Sequence, residues 1–146
     1  MKMIEGGVTA AQGFVAGGIH CGVRKNKSKP DLAMIYSEKP CAAAAVYTQN
    51  LVKGAPILVT QKNIADGAAK AVICNSGNAN TCNADGEEKA QAMCDLTAQA
   101  LGIDPQDVVV ASTGVIGQVL PIEPIQAGIP ELVKALSADG SHAAAT

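Results

Sequence analysis

The chain has 146 residues, of which 48% are hydrophobic, yet it contains no Trp, one Phe and two Tyr. A chain of this length buries about two thirds of the surface that its unfolded form exposes, so we expect a packed core of Ala, Val, Ile and Leu. The formal net charge of −2 provides no general attraction for nucleic-acid phosphates. These properties favour one α/β domain over residues 1–146 and argue against a nucleic-acid partner.

Two segments bear on the compartment of the protein. Met1–Gly7 lacks the apolar stretch of a secretion signal, and the uncharged run 108–122 is shorter than the roughly 20 apolar residues that span a bilayer. We therefore expect a soluble cytoplasmic protein with no membrane partner.

The cysteines form no C-x-x-C pair, and only His20 and His142 could add imidazole ligands, so a zinc site is poorly supported. An odd number of cysteines also argues against a complete set of internal disulfides. We expect small, buried, reduced side chains at all five positions: Cys21, Cys41, Cys74, Cys82 and Cys94.

Six short apolar segments, bounded by Gly, Pro, Asn or Lys, predict strands. Ala42–Ala45 alone would suit a helix, but Val46-Tyr-Thr48 follows it and favours a strand. The predicted strands are Gly13–Cys21, Leu32–Ser37, Ala43–Thr48, Ile57–Gln61, Ala71–Cys74 and Val108–Ala111.

Arg24–Lys29, the basic loop, separates the first two predicted strands. It lies next to Pro30, contains Ser28 and has no interleaved aromatic residues. This pattern is typical of a solvated loop, with contact to an anion as the alternative.

A helix is predicted to begin at Asp85, with Glu88 completing a capping box, and to end before Gly102. Its side chains at helical spacing should face the sheet, namely Ala90, Met93, Cys94, Thr97, Ala100 and Leu101.

A second helical pattern follows, but Pro130 should interrupt it, which predicts two short helices with Gly128 near their junction. Its apolar positions are Ile122, Ile125, Ile129, Leu132, Val133 and Leu136. Predicted strands dominate the first half of the chain and predicted helices enter later. This order predicts an α+β fold in which helices cover one face of a mostly antiparallel or mixed sheet.

Between the strand at 71–74 and the helix that begins at Asp85, Cys74–Asn80 reads CNSGNAN, which predicts a turn stabilised by its asparagines. Ser76 lacks the G-x-S-x-G setting of a nucleophile elbow and no His is near it in sequence. We therefore do not expect Ser76 to be a nucleophile.

Ala111–Gly117 reads ASTGVIG directly after a strand. On spacing alone an ordinary strand-to-helix turn is favoured, because Ser, Thr and Gly are common turn residues. The alternative is an oxyanion hole, in which a backbone N–H of Gly114 and the hydroxyl of Thr113 stabilise a transient negative charge.

Taken together, these motifs resemble the bifunctional ornithine acetyltransferase (glutamate N-acetyltransferase) family of arginine biosynthesis. The resemblance extends over nearly the whole chain, and several matches occur in one order. The matching segments are Gly6–Ala10, Gly13–Phe14, Ala45–Thr48, Ala55–Ile57, Asn75–Asn80, Ser112–Gly117 and Leu136–Ser137.

The resemblance implies an N-terminal-nucleophile-like precursor that cleaves itself into an α and a β chain. It assigns the oxyanion hole to Thr113 and Gly114, which favours that alternative for ASTGVIG. The N-terminal threonine of the β chain would carry acetyl from N-acetylornithine to glutamate, in some members also from acetyl-CoA. An α2β2 assembly is implied, and no metal or organic cofactor is needed.

The sequence departs from the family at one point, because the family's Ala-Thr-Met-Leu cleavage motif does not occur in it. Ala145-Thr146 lies ahead of the position that this motif has in the family, so we do not expect Thr146 to be the nucleophile. We interpret the chain as an α part that is incomplete at its C-terminus. A related self-cleaving amidase or aminopeptidase and a non-catalytic domain that binds a small anion remain alternatives.

Overall fold

The structure is a computed structural model that describes residues 6–146. Its centre is a sheet of four strands in chain order, in which the first three are antiparallel and the last is parallel to the third. The strands are β1 (Phe14–Ile19), β2 (Leu32–Ala42), β3 (Ala68–Asn78) and β4 (Val108–Val115). The predicted α+β fold with a mixed sheet is confirmed.

The helices are α1 (Ala55–Asn63), α2 (Gly86–Leu101), α3 (Ile122–Lys134) and α4 (Ser141–Ala145). The strand register aligns Met34, Ile73 and Val110 on one face, where they join a single buried cluster with residues of α2 and α3. The core contains the Ala, Val, Leu and Ile side chains that composition predicts, and Met34, Met93 and Cys94 in addition. After α3, Ser137 pairs with Ala16 along the outer edge of β1, and α4 packs on β1.

Helix α2 confirms the boundaries that the sequence predicts. Asp85 is the N-cap, and Gly102 ends the helix in the left-handed conformation with φ of 68°. The predicted capping box does not form, because the Asp85 side chain makes no cap hydrogen bond. Among the residues predicted to face the sheet, Ala100 is exposed.

The predicted strand at Ile57–Gln61 is wrong, because this segment lies within helix α1. Pro56 occupies the first turn, where a missing N–H costs nothing. The helix buries Ala55, Val59 and Asn63, which are four residues apart and therefore on one side. Packing against β4 outweighs the strand preference of the β-branched residues.

The predicted strand at Ala43–Thr48 is also wrong, because the ladder of β2 ends at Ala42 and no strand includes the residues that follow. Ala43 donates one backbone hydrogen bond to the Gly67 carbonyl, and Val46 is 99% exposed. Strand propensity alone does not form a strand where no neighbour is available to pair.

Helix α3 is continuous through Pro130, so the prediction of two short helices is wrong. An interior proline costs about 3 kcal/mol, whereas burying one Ile or Leu side chain contributes about 1.5–3 kcal/mol. The helix buries Ile125, Ile129 and Leu132, and together these exceed the cost of the proline. Gly128 is buried against Cys21 and is not a junction.

Within residues 6–146, no helix has both the length and the apolarity needed to cross a bilayer. Met1–Glu5, most of the segment for which no secretion signal is expected, lie outside the described residues.

Candidate active site

The candidate site is the place where the parallel strands β3 and β4 end side by side. The register pairs Ser76 with Thr113, Gly77 with Gly114, and Asn78 with Val115. We call residues 76–78 and 113–115 the β3–β4 rim. Both strands are longer than predicted, so Cys74–Asn80 is mainly strand rather than turn, and ASTGVIG includes the last residues of β4. Thr113 and Gly114 are exposed.

The direction of the β4 backbone is set by its hydrogen bonds. Val110 exchanges hydrogen bonds with the Thr60 hydroxyl of α1, at 3.1 Å for its N–H and 3.0 Å for its carbonyl, so both groups point away from β3. The carbonyl of Val115 accepts from Ala79 N at 2.9 Å and points toward β3. Because alternate residues direct their backbone groups to the same side, the Gly114 N–H lies on the open edge of the sheet.

Glycine is required at position 114 by the approach of two backbones. Gly114 has φ of +134°, and a Cβ there would collide with the backbone of Gly77 and Asn78. Gly77 has φ of +114°, so both paired residues adopt angles that favour glycine. The close pairing positions the Gly114 amide relative to β3.

Asn78 holds the loop that follows Gly114, and two further asparagines, Asn75 and Asn80, bond to Asn78. Asn78 Nδ2 donates to the carbonyls of Gln118 at 3.0 Å and Val119 at 3.1 Å, while its Oδ1 accepts from Asn80 N at 2.8 Å. Asn75 Nδ2 donates to the Asn78 carbonyl at 2.9 Å. Asn75, Asn78 and Asn80 are all buried. The sequence indicates a stabilising role for these asparagines, but not that they fix the segment after β4.

A buried carboxylate lies close to the rim. Asp31 accepts from the backbone N–H groups of Cys21, Gly22 and Arg24 at 2.6, 3.1 and 2.8 Å, and its own carbonyl accepts from Ser76 N at 2.9 Å. Burial opposes ionisation, but the hydrogen bonds from the Arg24 and Cys21 N–H groups outweigh it and lower the pKa of Asp31. Asp31 therefore ties the start of the basic loop to β3, a role that sequence reasoning missed.

Exposed apolar side chains lie on the rim and next to it. Val115, Ile116 and Val119 are 49%, 63% and 64% exposed. Val46, Leu51 and Val52 are also exposed large hydrophobic residues, in the segment before α1. An open cleft of about 620 Å³ lies between residues 49–53 and the start of α2, and its lining does not include Thr113 or Gly114.

Two residues that we do not expect to be nucleophiles are Ser76 and Thr146. Ser76 is half-buried beside Thr113 in the ladder. Thr146 is exposed, and its hydroxyl donates to the His142 carbonyl at 2.8 Å. It lines a separate cavity of about 200 Å³ together with Cys74, Asn75 and Ser76.

All five cysteines are free; Cys94 is buried, Cys82 is exposed and the others are half-buried, so the expectation of burial is wrong for Cys82. Burial raises the pKa of Cys21 and of Cys94 to about 12, which makes neither thiol reactive at neutral pH. Over residues 6–146, no three His, Cys, Asp or Glu side chains are grouped to hold a metal ion.

Comparison with known proteins identifies the family. The model of the ArgJ family matches residues 15–146. The chain belongs to the ArgJ family. The arginine biosynthesis bifunctional protein ArgJ of Gloeobacter violaceus is 51% identical over 146 residues, which covers 99% of this chain and 36% of that protein. The ArgJ of Symbiobacterium thermophilum is 48% identical over 99% of this chain and 37% of its own length.

Two solved structures of proteins with related sequences share the fold. The Bacillus halodurans ArgJ structure has a TM-score of 0.88 and 43% identity over 95% of this chain and 73% of that chain. The ornithine acetyltransferase of Mycobacterium tuberculosis, solved with ornithine, has a TM-score of 0.91 and 38% identity over 95% of this chain and 76% of that chain. The resemblance to the ornithine acetyltransferase family is confirmed. The chain spans little more than a third of the length of the curated ArgJ relatives.

Proposed function

We propose that the chain is the α part of an acetyltransferase that moves the acetyl group of N-acetylornithine to glutamate. Thr113 and Gly114 supply the oxyanion hole, and a β chain cut from the same precursor supplies an N-terminal threonine as nucleophile. The observation that carries this role is the Gly114 N–H on the open edge of β4, next to the exposed Thr113. An oxyanion hole requires such donors, fixed in place and not used by the fold.

The reaction proceeds in two acyl transfers. The threonine hydroxyl attacks the acetyl carbonyl, its proton passes to the threonine's own α-amine, and the carbonyl oxygen becomes an anion that Thr113 and Gly114 stabilise. Collapse breaks the C–N bond, and ornithine leaves with the proton. The glutamate amine then attacks the acetyl ester, N-acetylglutamate leaves, and the threonine hydroxyl is restored.

The rim fits this role because its position is fixed before substrate binds. The Gly77–Gly114 pairing positions the amide, and Asn78 fixes the carbonyls of Gln118 and Val119 just beyond it. Donors held in place need no reorganisation when charge develops, so they stabilise the transition state more than the bound substrate.

The wider assembly is part of the same proposal. The exposed apolar residues beside the rim, Val115, Ile116 and Val119, form part of the surface that the β chain covers. The assembly is an α2β2 tetramer without a metal or organic cofactor, and acetyl-CoA serves as a second acetyl donor.

The test is the rate of acetylation of the assembled protein by N-acetylornithine in a single turnover. Thr113→Val keeps the shape of the side chain but removes the hydroxyl, and we expect the rate to fall about 100- to 1000-fold. Thr113→Ser keeps a hydroxyl and should retain most of the rate. Equal rates for Thr113→Val and the wild type would exclude the hydroxyl from the oxyanion hole.

The fate of the acetyl group distinguishes transfer from hydrolysis. Transfer requires that ¹⁴C-acetyl from N-acetylornithine appear in N-acetylglutamate when glutamate is present. Release as acetate at the same rate with and without glutamate would indicate an amidase instead.

A further inference from the structure

The basic loop Arg24–Lys29 begins at the rim. Arg24 is half-buried, and its Cγ lies 2.8 Å from the position that a Cβ on Gly77 would occupy. Gly77 is paired with Gly114. Neighbouring strands are about 4.8 Å apart, so the stem of Arg24 lies within about two strand spacings of the proposed oxyanion hole. The expectation of a solvated loop holds for Lys25, Lys27 and Lys29, which are exposed, but not for Arg24.

The loop is anchored at this place by a buried group. The Arg24 N–H donates to Asp31 Oδ2 at 2.8 Å, and the Asp31 side chain is fully buried. Because the Asp31 carbonyl also accepts from Ser76 N, Arg24 and β3 are joined through one residue. This fixed start holds the first residue of the basic loop beside the rim, and the exposed lysines follow within five residues.

The positive charge of this segment is not neutralised locally. Gly22–Pro30 contains four cationic side chains and no acidic one. Within residues 6–146, none of these four cations forms a salt bridge. The nearest carboxylate along the chain, Asp31, is occupied by backbone N–H groups. An overall acidic protein thus presents a local group of cations next to the place where we propose acyl transfer.

We propose that the basic loop binds the phosphate groups of acetyl-CoA when that molecule is the acetyl donor. The inference rests on the proposed function and adds a binding site for its second donor. In that reaction the nucleophile's oxygen attacks the thioester carbonyl, the C–S bond breaks, and CoA leaves as a thiol with the proton from the hydroxyl. The phosphates stay outside while the acetyl group reaches Thr113 and Gly114.

The charge pattern favours phosphates over an amino-acid carboxylate. One carboxylate is satisfied by one bidentate arginine in a closed pocket. Here an arginine and three exposed lysines form an open group, and lysines bind phosphate as point charges. A diphosphate together with a phosphomonoester carries enough negative charge to engage several of them.

The experiment compares two donors on the assembled protein. In a triple variant, Lys25→Gln, Lys27→Gln and Lys29→Gln, we expect the ratio of kcat/KM for acetyl-CoA to kcat/KM for N-acetylornithine to fall at least tenfold. The control variant Lys39→Gln, Lys62→Gln and Lys134→Gln changes net charge equally at exposed sites elsewhere and should leave the ratio unchanged. An unchanged ratio in the loop variant would overturn the proposal, whether both kcat/KM values are retained or both fall by the same factor.

Direct binding separates this proposal from the proposed function. Calorimetry with CoA itself, without glutamate, should show at least tenfold weaker binding to the loop variant than to the wild type. Arg24→Gln should weaken binding in the same direction. If the wild type transfers acetyl from neither donor, the proposed function fails, while CoA binding still decides the role of the loop. Wild-type protein that binds no CoA would contradict the loop proposal alone.

Discussion

The sheet face under α2 and the rim where β3 and β4 end are built in opposite ways. On the face, Ile73 and Val110 belong to one buried apolar cluster with Met93 of α2. At the rim, Gly77 and Gly114 bring two backbones together, and buried amides hold the next segment. Stability therefore resides mainly in side-chain packing on the face, whereas the function that we propose depends on the position of backbone groups at the rim.

The largest expected effect comes from adding one methyl group at the rim. Gly114→Ala places a Cβ against the Gly77 backbone at a φ that disfavours alanine, which should destabilise the protein by about 3 kcal/mol or more. Acetylation by N-acetylornithine should fall at least about 100-fold. Thermal unfolding and single-turnover rates measure the two effects.

The matched control for this change is Gly117→Ala, three residues away. Gly117 has φ of +77°, but a Cβ there would meet nothing within 4 Å. Gly117→Ala should therefore destabilise the protein only by the cost of placing alanine in the left-handed conformation, about 1–2 kcal/mol. If both variants lost equal stability, the backbone approach at Gly114 would not be the constraint that we describe.

A smaller loss should follow from removing the amide that holds the loop. Asn78→Ala removes the buried donor to the carbonyls of Gln118 and Val119 and should destabilise the protein by about 2–3 kcal/mol. Urea unfolding measures this loss. Hydrogen exchange of the amides in residues 115–119 should accelerate. Asn83→Ala is the control, because Asn83 also donates to the Gln118 carbonyl but is less buried, and it should cost about 1 kcal/mol or less. Unchanged exchange in Asn78→Ala would contradict the holding role.

Asp31 provides a pH-dependent comparison. Its pKa is lowered in the folded protein, so its contribution to stability is present above the unfolded pKa of about 3.9 and is lost as pH falls through the folded value. At pH 7, Asp31→Asn should be less stable than the wild type by about 1.5–3 kcal/mol, because a charged acceptor of three N–H groups is removed.

This stability difference should shrink as pH is lowered below about 4, since the unfolded wild-type chain then takes up a proton that Asp31 in the folded protein, with its lowered pKa, accepts only at lower pH. Urea unfolding of both proteins between pH 7 and pH 3 measures it. A difference that stays constant over this range would show that the charge of Asp31 does not stabilise the loop.

The smallest expected effect concerns two aspartates at helix starts away from the rim. The Asp85 side chain makes no cap bond, so Asp85→Ala should change stability by less than about 0.5 kcal/mol. Asp104 is the N-cap of the short 3-10 helix Pro105–Asp107 and accepts from Gln106 N at 2.9 Å, so Asp104→Ala should cost about 1 kcal/mol. Chemical denaturation of the two variants side by side measures the contrast. A larger loss in Asp85→Ala than in Asp104→Ala would contradict the assigned caps.

Sequence patterns predicted the helix-covered face well, because repeated apolar positions and helix stop signals act locally. The boundaries of α2 and the buried Met93 follow from such signals. The two erroneous strands and the supposed break at Pro130 depended on tertiary packing instead. Whether Ile57–Gln61 becomes strand or helix is decided by the contact of α1 with β4, which propensity does not contain.

The rim was predictable in part. The ASTGVIG motif and the family resemblance predict Thr113 and Gly114 as the oxyanion hole, and both lie at an exposed strand end. The hydrogen bond from Ser76 to Asp31 and the proximity of Arg24 to Gly77 involve residues distant in sequence. No local pattern reports such pairs, so the neighbourhood of the site required the fold.

The central claim is that the Gly114 N–H and the Thr113 hydroxyl receive the oxyanion. The most direct measurement is a crystal structure of the assembled protein whose nucleophilic threonine carries a tetrahedral boronate adduct. We predict one boronate oxygen about 2.7–3.1 Å from both Gly114 N and Thr113 Oγ1. A boronate oxygen bound by other groups, with Gly114 N paired to protein, would contradict the claim.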